Sequence, residues 1–184
     1  MQKRVLVPLA QGCEELEAVT IMDLLVRAGI EVVTASLDEQ KIITASRHTQ
    51  LIAQNTLAEV ENQVFDLVVL PGGLPGADYL DQDMRLQRIL QQTAAQGGWV
   101  GAVCAAPKVL VSAGLLDGKT ATSYPGVIDT LPAKNMTYSH LPVVMDGKVV
   151  TSRGPGTVMD FALQLIEVLV GLEKRQTVEA ALVR

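Results

Sequence analysis

Apolar positions along this 184-residue chain fall into two alternating rhythms. Short unbroken apolar runs read as buried strands, and longer stretches with apolar residues three and four apart read as helices. Buried strands are expected over 4–10, 30–36 and 65–70, with a further one from Trp99 into the turn at Cys104. Helices are expected over 14–27 and 85–96, from Pro107 toward Gly114, from the Arg153-Gly-Pro-Gly-Thr157 opening through Leu169, and over 173–182. Shorter strands are expected over 41–44 and 49–53, joined through Ala45-Ser-Arg-His48, and over 119–122, with a helical turn over 126–131. Val143-Val-Met145 and Val149-Val-Thr-Ser152 flank Asp146-Gly147, a dipeptide suited to a tight hairpin. The first helix carries Leu16, Ala18, Val19, Ile21, Met22, Leu24, Leu25 and Val26, so it is apolar nearly all round. One face belongs on a sheet. For a chain this small, a subunit interface is the economical explanation of the other.

Strands alternating with helices imply an α/β fold whose mostly parallel central sheet is covered on both faces. No repeat, linker or low-complexity segment interrupts the order, so 1–184 reads as a single domain. In such sheets the site lies beyond the carboxyl ends of the strands. Three loops belong there: Gln11-Gly-Cys-Glu-Glu15, Pro71-Gly-Gly73 and Cys104-Ala-Ala106.

Composition narrows the setting. Aromatic residues are only 3% of the chain while apolar residues reach 48%, so aliphatic side chains must fill the core. A formal net charge of −5 and the lack of a basic run argue against a nucleic-acid surface. Two cysteines far apart suggest a reducing compartment. Met1-Gln-Lys-Arg4 leads straight into a strand, and no apolar run reaches the roughly 18 residues of a membrane span. A cytoplasmic chain that does not enter membranes is the expectation.

Cys104 lies where a strand turns sharply into a helix, flanked by small residues with Pro107 in the first turn. Helix N–H groups aimed at the sulfur favour thiolate, which predicts ionisation well below the roughly 8.5 of a free thiol. The local pattern alone fits a buried structural cysteine equally well; the three converging loops favour the reactive reading. The two histidines, His48 and His140, lie outside these loops, so no Cys–His pair is signalled. Glu14, Glu15 and Glu17 are the nearby acids. Steps of 100° align Glu17 with Ile21, Leu24 and Ala28 on an apolar face. Glu17 is therefore either an ordinary first-turn acid or a buried carboxyl kept protonated and able to shuttle protons. Gly72 and Gly73 either make a tight turn or offer N–H groups to an oxyanion.

Gly12-Cys-Glu-Glu-Leu-Glu17, Val68-Val-Leu-Pro-Gly-Gly73, Ala102-Val-Cys-Ala-Ala-Pro107 and Thr151-Ser-Arg-Gly-Pro-Gly-Thr157 together resemble the ThiJ/PfpI superfamily. Within it, the chain is similar to the branch of the parkinsonism-associated protein deglycase and bacterial YajL. The resemblance runs through essentially the whole chain. It implies a flavodoxin-like three-layer sandwich, a homodimer, and a nucleophilic, oxidation-sensitive Cys104 on an elbow with Glu17 as its carboxyl partner. It further implies Gly73 and Ala105 as oxyanion donors, Gly72 against the substrate, and Arg27 and a partner-supplied Arg47 near the site, with no cofactor and no metal. Tyr124 stands where a member of the branch has histidine, as a substrate contact. Ala105 replaces the histidine that follows the cysteine in peptidase and glutaminase relatives, so neither activity is expected. Cys13 is at a position usually small and unreactive, and Ala45 and Ala53 stand where members of the branch carry further cysteines. The implied activity is cofactor-free conversion of small dicarbonyls to hydroxy acids and repair of early glycation adducts on proteins. The alternative is a redox-sensing chaperone whose Cys104 is oxidised to sulfinate.

Overall fold

Runs of Val and Leu with no polar interruption form the middle of a seven-stranded sheet. The computed structural model describes residues 2–131 and 133–184; Met1, at the head of the expected lead into the first strand, lies outside them. The chain begins with β1 (Arg4–Leu9), α1 (Glu15–Arg27) and β2 (Glu31–Ser36). A small hairpin follows, β3 (Ile42–Thr44) and β4 (Gln50–Ile52), then β5 (Asn55–Thr56), α2 (Leu57–Val60) and β6 (Leu67–Leu70). After these come α3 (Gly76–Gln82), α4 (Met84–Ala95), β7 (Trp99–Val103) and α5 (Pro107–Ser112). The last third holds β8 (Thr120–Ala121), β9 (Thr137–Tyr138), β10 (Val143–Asp146), β11 (Val149–Ser152), α6 (Val158–Val170) and α7 (Leu172–Ala181).

The sheet order is β10-β11-β7-β6-β1-β2-β5. Only the β10–β11 hairpin, turning at Asp146-Gly147 as its residues predict, is antiparallel; the other pairs are parallel. Val5, Val7, Leu67 and Val69 point to one face, where α1 and α6 cover them with Ile21, Leu25, Phe161 and Leu165. Leu6, Val68, Leu70 and Val100 point to the other, beneath α4 and α5 with Leu86, Leu90, Val109 and Leu110. The mostly parallel sheet with helices on both faces is therefore present, and burial on both faces is why its strands read as continuous rather than alternating runs.

From β1 the chain goes to β2 on one side of it and later to β6 on the other. This change of direction opens a crevice at the carboxyl ends of β1 and β6. Two helices lie in stretches where none was expected. The seven-residue α3 buries only Gly76, Ala77 and Leu80, too little for a helical rhythm to emerge. The four-residue α2 carries a Thr56–Glu59 capping box, which is a readable start signal. β8 pairs with β9 in a separate two-stranded sheet. Among the described residues, no helix is long and apolar enough to cross a membrane.

Candidate active site

β7 ends at Val103, and the chain reverses into α5 through Cys104, whose φ is +62°. That left-handed conformation costs a non-glycine residue on the order of 1–2 kcal/mol, so neighbouring structure must hold it. The Cys104 N–H donates to the Ser152 carbonyl at 3.0 Å, and the Cys104 carbonyl accepts from the Tyr124 N–H at 2.9 Å. Ala105 and Ala106 beside it are buried. The sulfur receives the N–H groups of Gly73 and Ala105.

Glu17 is held from the opposite side. It is fully buried with Ile21, Leu24 and Ala28 on the core face of α1, as the 100° periodicity indicates. The Glu14 carboxylate caps α1 by accepting the Glu17 N–H at 2.8 Å. Glu17 Oε2 accepts the Gly72 N–H at 2.8 Å, and the carboxyl also hydrogen-bonds the Cys104 sulfur. Among the described residues, Oε1 is buried with no hydrogen-bond partner. Burial raises the Glu17 pKa to about 7, outweighing the stabilisation its carboxylate gains from the Gly72 N–H and the sulfur.

The expected depression of the Cys104 pKa is corrected by the structure. Burial, and after it the charge and hydrogen bond of Glu17, push the thiol up to about 12, and the Gly73 and Ala105 N–H groups only partly oppose them. The sequence shows the helix start but not the depth of the sulfur or the facing carboxylate. Thiol and carboxyl thus form one unit. When Glu17 takes up a proton, the charge that raises the thiol disappears with it.

The two glycines allow this proximity. A Cβ on Gly72 would lie 2.7 Å from Cys104 Cβ and 2.8 Å from Glu17 Oε2. Gly73 has φ +89°, and a Cβ there would meet the Glu14 backbone nitrogen at 2.4 Å. The Glu14 N–H donates to the Gly72 carbonyl at 2.9 Å, so the three expected loops do converge. Gly72, read from sequence as a substrate contact, has its N–H committed to Glu17 instead; it orients the carboxyl.

The remaining expected residues divide. Arg27 is not brought to the sulfur. It pairs with Asp23 at 2.7 Å and lies ten residues, or about 15 Å of helix, beyond Glu17. The Arg47 N–H donates to the Glu15 carboxylate at 2.9 and 3.1 Å, and the Ser46 N–H to the Cys13 carbonyl at 2.8 Å, so Arg47 stands beside the first loop. Tyr124 is bonded through its backbone to Cys104 and its ring lies against Gly154. Cys13 is fully buried, its thiol raised to about 12 by burial and then by Glu15 and Glu14. His48 occupies the β3–β4 turn, and His140 packs edge-on against Tyr138 at 5.1 Å. Ser152 has a role the sequence reading did not assign. Its carbonyl holds the Cys104 turn, and its hydroxyl is fixed to Thr157 Oγ1 at 2.7 Å. The Thr151–Thr157 motif and the strand ending there were the available signal.

Residues 3–168 match the model of the DJ-1/PfpI family. The chain is 41% identical over 182 residues to Protein dj-1beta of Drosophila melanogaster, spanning 99% of this chain and 97% of that one. The crystal structure of that fly protein superposes with a TM-score of 0.95, covering 100% of this chain and 98% of the other. Protein DJ-1 homolog A of Arabidopsis thaliana is 40% identical over 181 residues, and the chain spans 46% of its length. A Caenorhabditis elegans relative called glutathione-independent glyoxalase DJR-1.2 is 33% identical over 174 residues, covering 94% of this chain and 92% of the relative.

Proposed function

The chain belongs to the DJ-1/PfpI family, and on that footing we propose that it is a cofactor-free glyoxalase of the deglycase type, acting on small 2-oxoaldehydes and on early glycation adducts of proteins. The observation that carries this reading is the buried Glu17 carboxyl, near pKa 7, hydrogen-bonded to a sulfur that also faces two backbone N–H groups. The glyoxalase name of the nematode relative supports it. As sulfur adds to the aldehyde carbon of methylglyoxal, the thiol proton passes to Glu17 and on to the new alkoxide, which the Gly73 and Ala105 N–H groups stabilise. Glu17 then removes the proton from that carbon, and the electron pair moves toward the adjacent carbonyl. Returning that proton to the second carbon, while the hydroxyl proton on the first carbon's oxygen passes to the second carbon's oxygen, leaves a thioester on Cys104 beside a hydroxyl-bearing carbon. Water cleaves the carbon–sulfur bond and releases lactate and free thiol. One dicarbonyl and one water give one hydroxy acid; one carbon is oxidised, its neighbour reduced, and no external redox partner is needed.

The exposed Leu16, Val19 and Val26 of α1 support a homodimer, within which Arg47 would serve the site of the other protomer. Purified protein incubated with methylglyoxal without thiol additives should produce lactate, and Cys104→Ser should produce none. Lactate formation by Cys104→Ser at the wild-type rate would refute the nucleophile.

A redox-sensing chaperone is the second reading, supported by Oε1 of Glu17, which is free to bond an oxygen added to the sulfur. Peroxide treatment that converts Cys104 to sulfinate and suppresses aggregation of an unrelated protein, without methylglyoxal turnover, would favour it.

A further inference from the structure

The two N–H groups that meet at the sulfur come from different loops. Gly73 belongs to the loop entering α3, and Ala105 to the turn entering α5. Their relative position is set on one side by the pairing of β6 with β7, where Leu70 lies beside Ala102, and on the other by how those two short helices are fixed to each other. The Gly73 carbonyl is tied to the Ala77 N–H at 2.8 Å, so this loop and the first turn of α3 move together. Ala106 bonds back to Val103 at 3.0 Å, so the Ala105 turn is likewise continuous with the start of α5. Between residues 72–82 and 104–112, which also pack through apolar side chains of one buried cluster, the described residues make one ionic connection. It is the ion pair of Lys108 with Asp78, which is also a direct hydrogen bond.

Lys108 is the second residue of α5, where the helix dipole disfavours a cation. Its side chain is only 23% exposed and reaches sideways to the first turn of α3, where an acid is favoured. The backbone offers no substitute, since α3 and α5 share no main-chain hydrogen bond among the described residues. We infer that Lys108 and Asp78 are positioning residues: their ion pair is a brace that fixes the spacing of the Gly73 and Ala105 N–H groups around Cys104. This goes beyond the proposed glyoxalase reaction and applies to any chemistry in which the sulfur, or an oxyanion beside it, is stabilised by both donors.

A double-mutant cycle on the full-length protein tests the brace. Lys108→Met, Asp78→Asn, the double variant and Lys108→Arg are compared by the pH profile of Cys104 alkylation with iodoacetamide and by kcat and KM for methylglyoxal. A brace predicts that either single change lowers kcat by roughly tenfold to a hundredfold, the scale of an ångström-sized misplacement, with little change in KM. Both should move the alkylation profile to higher pH by similar amounts. The double variant should be no worse than either single, and Lys108→Arg should stay near wild type. If Lys108 acted only through its charge, Asp78→Asn would leave alkylation unchanged or raise it while Lys108→Met lowered it, and that pattern would overturn the proposal. Additive losses in the double variant would overturn it too, as would a single variant indistinguishable from wild type. Alkylation does not depend on dicarbonyl chemistry. A wild-type protein inert toward methylglyoxal would refute the proposed function, and the cycle would still decide the brace.

Discussion

Glu17 holds its proton in the native state at a pH where an exposed glutamate has lost it. Its pKa is raised from 4.5 to about 7 by burial. Below about 4.5 both folded and unfolded chains are protonated and burial costs nothing. Between 4.5 and about 7 the unfolded chain releases the proton and the native chain keeps it, so stability falls as pH rises. Above 7 both are ionised and the slope ends. The loss across this window is on the order of 3 kcal/mol. Denaturant midpoints measured from pH 4 to 8 should show that decline in wild type and a flatter curve in Glu17→Gln; parallel curves would contradict a buried, protonated carboxyl. Gly72→Ala tests the same packing from the other side. Its methyl would lie within 2.9 Å of Cys104 Cβ, Glu17 Oε2 and the Val103 carbonyl. It should destabilise by about 1–3 kcal/mol and move the carboxyl off the sulfur, reducing turnover. Wild-type stability and activity would contradict the close approach. Glu17 was legible in sequence because one helix supplies the rhythm that aligns it with Ile21, Leu24 and Ala28. The Gly72 N–H that binds it comes from 55 residues away, and the raised thiol arises from burial and a facing charge. Neither leaves a local pattern.

At the scale of elements, strand and helix rhythms located the long pieces because each buries a continuous face. α1 buries Ala18, Ile21, Leu24 and Leu25 in the core and leaves Leu16, Val19 and Val26 exposed, so its all-round apolar character has two destinations. α2 and α3 were not legible as helices because each is short and held by what surrounds it, although the Thr56–Glu59 box marks the first. The exposed side of α1 yields a prediction. Sedimentation should give a dimer at micromolar concentration, and Leu16→Lys should dissociate it and lower turnover. A wild-type monomer, or a Leu16→Lys dimer, would contradict α1 as the interface.

The whole molecule places its reactive groups where chain order reverses beside β1. β1 leads to the Glu14–Glu17 turn, β6 to Gly72 and Gly73, and β7 to Cys104, so three carboxyl ends of one parallel sheet meet at one sulfur. This convergence was legible because parallel topology alone brings those loops to the same edge. The central claim is that Cys104 and Glu17 act as one proton-sharing unit that turns a 2-oxoaldehyde into a 2-hydroxy acid. The most direct test compares wild type with Glu17→Gln for lactate formation from methylglyoxal, with iodoacetamide alkylation of Cys104 at about pH 10 showing that the thiol remains present and accessible. The account predicts lactate from wild type, none above background from Glu17→Gln, and alkylation of Cys104 in both. Lactate produced by Glu17→Gln at the wild-type rate would contradict it.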